Sequence, residues 1–369
     1  MMHQAVIGIG FGDEGKGRVV DFLCSTLDID LVIRYSGGHQ AGHHVMLNDR
    51  LGHVFTNFGC GTMRGVPTYW SKYCTVDPVG ILNELNLLRS KGVDPVLYID
   101  KRCPITTPYD KAANLIINRR SNHGSCGVGF GQTVQREEDR YSLLFGDLLI
   151  PSIFEVKLNL VSKYYNHIKI EQDDHDEFLN ASYEISKIST IFPTMGVPIA
   201  PGQLLFEGSQ GLLLDQDIGF FPHVSRTNCG SKNILDMGVH PHIYLVTRAY
   251  QTRHGNGPIS NQCVPHDIEV NPYEQNITNY QGEFRRTILD LDLLKYAISR
   301  DEYISSTDYK SLVITCLDLV KNSYQLTIDC VIKHFGNEFD FVEAIRNELS
   351  IDKVYLSRTP VGIIDRHNE

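Results

Sequence analysis

The chain has 369 residues, 42% of them hydrophobic and 21% charged, and a formal net charge of −10. That length supports one large α/β domain or two ordinary ones with ample core, and the composition is that of a globular protein. The acidic balance argues against a dedicated nucleic-acid or membrane-surface binder, although a local basic patch can still take a small anion. Apolar runs fall short of the ~20 residues of a membrane-spanning helix. The opening stretch MMHQAVIGIG lacks the basic region and long apolar core of a signal peptide. The nine cysteines are scattered, with no CxxC or other zinc-like spacing. The expected setting is a reducing cytoplasm with free thiols.

In chain order, β-rich runs are predicted at Ala5–Ile9, Leu31–Tyr35, Leu204–Glu207, Ile243–Thr247, Leu312–Cys316 and Lys353–Leu356. The stretch 151–200 reads as helices with acidic turns, of which EQDDHDE (171–177) is expected to be a solvated loop. TILDLDLLKYAIS (287–299) sets Ile288, Leu291, Tyr296 and Ile298 at roughly helical spacing and predicts a helix. Strands alternating with helices predict an α/β fold, with a mostly parallel central sheet, helices on both faces and elaborated insertions. With no repeat, low-complexity linker or composition break, a single domain over 1–369 is expected. Glycine-rich stretches recur at 8–17, 36–42, 124–131, 208–211 and 254–257. Glycine lets backbone N–H groups approach an anion closely, so such loops on one sheet suit a site that grips several phosphates.

The first of these loops, GIGFGDEGKGR (8–18), fits two patterns. Gly10, Gly12 and Gly15 spell the GxGxxG of a dinucleotide site, with Asp28 and Asp30 as candidate ribose acids. Asp13 and Glu14 would repel the pyrophosphate of that reading. Gly10 through Lys16 also spell GxxxxGK, the start of a phosphate-binding P-loop, but Gly17 stands where Ser or Thr would hold magnesium. Asp13 can supply that ligand instead. An ordinary strand-to-helix turn with a surface lysine is the third possibility. HQAGHH (39–44) admits a metal-cluster reading, but no Cys or acid spacing supports zinc.

Further blocks decide among these. GFGDEGKGRVVDFL, VIRYSGGHQAGHHV, LLFEGSQGLLLDQDIGFFPHVSRTN and AYQTRHGNGP follow in order, with weaker similarity through GSCGVGFGQTVQREEDRYSLLFGDLL, GEFRRTILDLDLLKYA and LVITCLDLV. Together they resemble the adenylosuccinate synthetase family, which uses GTP to phosphorylate the 6-oxygen of IMP before the amine of aspartate displaces the phosphate. The resemblance implies a magnesium-dependent homodimeric ligase. It implies that Asp13 takes the purine N-1 proton and ligates Mg2+ with the Gly42 carbonyl. His43 would stabilise the transferring phosphoryl group and act as acid. Gln210 would contact the purine 6-oxygen, and Lys16 with Gly12, Glu14, Gly15 and Gly17 would hold the nucleoside triphosphate. Gln40, Ser125, Cys126, Ser225 and Arg253 fall on positions near the monophosphate. Arg140 falls on an arginine that reaches the partner subunit's substrate. Arg285 and Gln281 lie in the loop expected to take aspartate.

Three departures bear on specificity. The family's TKLD element is Thr315-Cys316-Leu317-Asp318 here, so the aspartate that reads guanine remains but the stacking lysine is a cysteine. Ser357-Arg358-Thr359-Pro360 replaces the second guanine-side element. This leaves the donor as GTP or ATP. In NYQGEFRRT, Glu283 and Phe284 stand where arginines would be; Arg285 and Arg286 remain, and Arg285 can still pair with a carboxylate. The chain is also short, a feature shared with phage synthetases that condense aspartate with dGMP. IMP is the expected acceptor because GDEGKG is intact; GMP or dGMP is the alternative. A non-catalytic nucleotide-binding paralogue is the reading from another class.

Overall fold

The computed structural model describes residues 2–48, 51–121, 124–198, 202–271, 282–321, 323–361 and 365–366. Its strands are β1 (Gln4–Gly8), β2 (Ile29–Arg34), β3 (His43–Met46), β4 (Gly52–Phe55), β5 (Thr68–Trp70), β6 (Leu97–Asp100), β7 (Ile191–Thr194) and β8 (Gln203–Gly211). They continue as β9 (His242–Arg248), β10 (Tyr250–His254), β11 (Phe284–Asp290), β12 (Lys310–Thr315), β13 (Tyr324–Ile328), β14 (Val331–Phe335), β15 (Val354–Leu356) and β16 (Asp365–Arg366). Ten of them form one sheet in the order β16-β15-β12-β9-β1-β8-β2-β5-β6-β7. Within it β1 pairs in parallel with both β8 and β9, and β16 runs antiparallel to β15.

Each of the six predicted runs is a strand of this sheet. They read as near-continuous apolar stretches because a parallel sheet is covered on both faces. Successive side chains point to opposite faces, and the core divides accordingly. Ile7, Ile33, Phe206, Leu245 and Leu312 pack in one cluster; their neighbours Val6, Val32, Leu205, Val246 and Val313 pack in the other. Helix α1 (Lys16–Thr26) covers the second face through Val19, Val20 and Leu23. The helices Leu291–Arg300 and Glu338–Leu349 cover the first through Leu291, Leu294, Phe341 and Ile345. Among the described residues no helix is long and apolar enough to cross a membrane.

Two local expectations are corrected. EQDDHDE is solvated but is not a loop: Glu171 caps the helix Gln172–Ile185, whose first turn carries Asp173 and Asp174. Acids there are favoured by the positive end of the helix dipole. The TILDLDLLKYAIS segment splits. Thr287 through Asp290 belong to β11, and the helix begins only at Leu291. Asp290 makes the break, its carboxylate accepting from the amides of Asp292 at 3.0 Å and Leu293 at 3.2 Å, a strong N-cap.

The parallel order brings the C-terminal ends of β1, β8, β9 and β12 side by side, where open α/β sheets hold their ligands. The β3–β4 hairpin and the smaller sheet β10-β11-β13-β14 flank that edge.

Candidate active site

A single cleft of about 1440 Å³ opens over these strand ends and is lined by residues from every glycine-rich loop. Its floor is the loop after β1. Gly12 and Gly15 have φ of 89° and 86°, and between them Asp13 also adopts a positive φ of 57°. These left-handed residues curl the backbone around the Glu14 side chain. Glu14 Oε1 accepts from the amides of Gly10 and Gly12, both at 3.0 Å. Its Oε2 pairs with Lys16 Nζ at 2.7 Å, both side chains being almost fully buried. Thr315 at the end of β12 donates its hydroxyl to the Glu14 carbonyl at 2.8 Å, locking the loop onto the sheet.

Asp13 points the other way, into the cleft, with 42% of its side chain exposed. The surrounding protein would raise its pKa, but a hydrogen bond and ion pair to His254, with Arg248 and Lys16 nearby, hold the carboxyl at about 2. His254 Nε2 lies 3.2 Å from Asp13 Oδ2, and Arg248 Nε donates to the Asp13 carbonyl. Asp13 is thus fully ionised at neutral pH, as a cation ligand or an acceptor of a ring N–H must be.

His43, delivered by the β3–β4 hairpin, lines the same cleft. Its Nδ1 is 2.5 Å from Glu207 Oε1, whereas Nε2 has no partner among the described residues. Glu207 is fully buried in β8. Burial would raise its pKa, but Arg34, His43 and Cys60 hold it at about 2. The ionised carboxylate therefore fixes the proton on Nδ1, and Nε2 is left as the working nitrogen. His43, Cys60 and Glu207 lie close enough to hold a metal. They are instead bonded to one another beside the Arg34 guanidinium, 3.9 Å from Glu207, a poor place for a cation. Gly17 explains the missing P-loop Ser or Thr. A Cβ there would lie 2.7 Å from His43 Cβ and 2.9 Å from Cys60 Sγ.

The other predicted residues divide. Gly42, Gln40, Gln210, Ser125, Cys126, Ser225, Arg253, Cys316, Asp318 and Ser357 line the cleft with Asp13, Glu14, Gly15, Lys16, Gly17 and His43. Gly12 lies beneath it, with Gln210 Oε1 only 2.9 Å from where its Cβ would be. Both amide atoms of Gln40 are buried without a hydrogen-bond partner among the described residues. The Ser125 hydroxyl is held by Asn118 at 2.9 Å and Asn114 at 3.0 Å, and burial pushes the Cys126 thiol up, so it stays neutral. Arg253 lies over the Phe11 ring at 4.2 Å and donates to the Pro258 and His223 carbonyls. Burial and the neighbouring Arg285 lower it to about 10, still a cation at neutral pH. Burial raises the Asp318 carboxyl despite Lys321 and Arg18.

Arg140 and Arg285 are not part of the cleft lining. Arg140 is exposed just beyond the C-terminal end of the helix Phe130–Glu138. Arg285 donates to the Gly255 and Gly257 carbonyls, both at 2.6 Å, so it braces the 254–257 loop. Gln281 lies outside the described residues. Sequence reasoning missed Glu207, Arg248 and His254. Glu207 did leave a signal: a charge inside the apolar strand LLFEG must find a buried partner.

The profile of the adenylosuccinate synthetase family matches residues 5–358. The adenylosuccinate synthetase of Koribacter versatilis is 30% identical over 365 residues, 92% of this chain and 80% of the relative. That of Thermosipho africanus is 29% identical over 96% of this chain and 89% of its own. Among solved structures, fully ligated adenylosuccinate synthetase from Plasmodium falciparum superposes with a TM-score of 0.80 at 19% identity, covering 98% of both chains. The succinoaminodeoxyadenylate synthetase of cyanophage S-2L, bound to dGMP and dATP, gives 0.64 at 14% identity over 98% of this chain and 93% of its own. These two likenesses establish the parallel-sheet fold, and the match across nearly the whole sequence places this chain in the adenylosuccinate synthetase family of C–N ligases.

Proposed function

We propose that the protein condenses L-aspartate with the 6-position of a purine nucleoside monophosphate, IMP, using a nucleoside triphosphate to phosphorylate the 6-oxygen first. The observation that carries this reading is the presence of two unlike groups in one cleft. Asp13 is a carboxylate held ionised, and His43 presents an unpartnered Nε2 with its proton fixed on Nδ1. Asp13 accepts the ring N–H proton, which makes the 6-oxygen nucleophilic. His43 Nε2 meets the transferring phosphoryl group, and Lys16 offsets its charge. Gln210 holds the purine edge. Ser125, Cys126, Gln40, Ser225 and Arg253 surround the monophosphate, with Arg253 the cation among them. Cys316, Asp318 and Ser357 form the donor-base end.

The Asp13 carboxylate and the Gly42 carbonyl line the same cleft, and such hard oxygen donors fit Mg2+. That ion, when bound, neutralises charge between the phosphates. Aspartate is taken by the loop that carries Gln281 and Arg285, and Arg285 also braces the neighbouring 254–257 loop. The protein acts as a single-domain, cytoplasmic homodimer in which Arg140 completes the partner's site. An exposed Arg140 outside its own cleft supports this, as does the apolar stripe Ile150, Ile153, Val156 and Leu160 along the helix Pro151–Tyr164.

Phosphate release with aspartate and Mg2+ tests the proposal across IMP, GMP and dGMP, each with GTP and ATP. Turnover with IMP is the expected result. Turnover only with GMP or dGMP moves the acceptor to the 2-aminopurine class, and release with none of the six pairs overturns the ligase reading.

A further inference from the structure

Beneath the His43–Glu207 pair lies a side chain that the reaction scheme does not use. Cys60 is completely buried. Its thiol donates to Glu207 Oε1 at 2.9 Å, the same oxygen that faces His43 Nδ1. Its backbone amide donates to the other oxygen, Oε2, also at 2.9 Å. Arg34 approaches Oε1 at 3.9 Å. On the opposite side Gly17 packs against both His43 and Cys60, so close that neither leaves room for a Cβ. One residue thus holds both oxygens of the carboxylate that orients His43, and it touches the loop that carries Lys16.

Apart from His43 itself, the Cys60 S–H is the hydrogen-bond donor to Oε1 among the described residues; without it the surrounding frame grips the carboxylate by hydrogen bond at Oε2 alone, and carboxylate and imidazole can rotate together. Burial pushes the Cys60 thiol well above its ordinary value, and Glu207 beside it pushes the same way. The sulfur therefore keeps its proton and acts only as a donor. It adds no charge to the site and cannot serve as a nucleophile at neutral pH.

We propose that Cys60 is a positioning residue for His43, acting through Glu207: its S–H and N–H together fix the carboxylate plane that holds the imidazole with Nε2 toward the cleft. The proposal rests on His43 being the residue that meets the phosphoryl group. A thiol of this kind is replaceable by a hydroxyl, which keeps the donor, but not by a methyl group, which removes it.

The test compares Cys60→Ala, Cys60→Ser and His43→Ala in the full chain with the best nucleotide pair. Cys60→Ala is expected to lower kcat about tenfold, with KM for both nucleotides within about twofold of the parent. Cys60→Ser is expected to restore kcat to within about twofold. Equal kcat in Cys60→Ala and the parent overturns the proposal, as does a Cys60→Ser variant as impaired as Cys60→Ala. If His43→Ala retains full turnover, the role given to His43 fails instead, which separates the two. A readout independent of turnover is the imidazole 15N spectrum. The parent should show one His43 tautomer with the proton on Nδ1; Cys60→Ala should show exchange or a tautomer mixture, and Cys60→Ser the parental form. An unchanged His43 signal in Cys60→Ala also overturns the proposal. Should Cys60→Ala fail to fold, Cys60→Val removes the donor while filling the space and is read the same way.

Discussion

Glu14 and Lys16, two residues apart, form a buried ion pair of 2.7 Å inside the loop that follows β1. This contact explains why an acid pair occupies a phosphate-loop sequence. Glu14 turns inward and takes the Gly10 and Gly12 amides that a phosphate would otherwise engage. The surrounding glycines make room for it: a Cβ at Gly8 or Gly211 would lie 2.3 Å from its carboxylate. Asp13 turns outward and meets the cleft. The two acids thus divide the work, one holding the loop and the other facing the cleft.

Replacing Asp13 by Asn keeps the shape of the side chain but removes its charge. The variant should lose about 10³-fold or more in kcat, by loss of the proton acceptor and of a cation ligand together. Phosphate release under saturating substrates measures this. The fold should be unaffected, because Asp13 is partly exposed and its backbone is held by Arg248.

Gly17→Ser restores the P-loop consensus, and by motif logic it should be neutral. Sterically it should fail, since the new Cβ lands 2.7 Å from His43 Cβ and 2.9 Å from Cys60 Sγ. An overpacked core of this kind costs about 1–3 kcal/mol. Urea unfolding should show that loss, and kcat should fall with the displaced His43.

The pH dependence of stability should carry the signature of Glu207. Its carboxyl sits at about 2, below its ordinary 4.5. The contribution to stability is present above pH 4.5 and is lost as pH falls from there toward 2. Glu207→Gln leaves Arg34 buried without its counter-charge and should cost about 3 kcal/mol at neutral pH. The gap between parent and variant in denaturant titrations should narrow steadily as the pH is lowered from 4.5 to 3.

Cys316 and Asp318 both line the cleft, at the end proposed to take the donor base. Cys316→Lys adds a cation and a long stem next to that carboxylate. The ratio of kcat/KM for GTP to that for ATP should rise about tenfold, since guanine offers a carboxylate the adjacent pair of N1–H and 2-amino donors and adenine lacks that pair. An unchanged ratio, from initial rates at varied donor, would place the base elsewhere.

On the helix Pro151–Tyr164, Ile153 and Val156 are 42% and 61% exposed. A charge there should prevent self-association, because burying it without a partner is costly. The parent should sediment as a dimer and Val156→Glu as a monomer, and turnover should fall if Arg140 acts across the interface. Mixing Val156→Glu with the parent at high concentration checks the second point.

The sequence by itself determined the architecture and most of the cleft. The six apolar runs are strands because a doubly covered parallel sheet leaves a local imprint, and most of the glycine-rich blocks are loops because they interrupt it, whereas 208–211 closes β8. What sequence order could not determine was which side chains meet. Glu207 reaches His43 across 164 positions only because β8 lies beside β1 and β2. His254 reaches Asp13 only because β9 runs on into β10 past the first loop. Arg285 turns to the Gly255 and Gly257 carbonyls because β11 pairs antiparallel with β10, setting it opposite Arg253. Strand periodicity is local chemistry and can be read along the chain. Pairing between distant strands depends on sheet order and register, which the folded core alone decides.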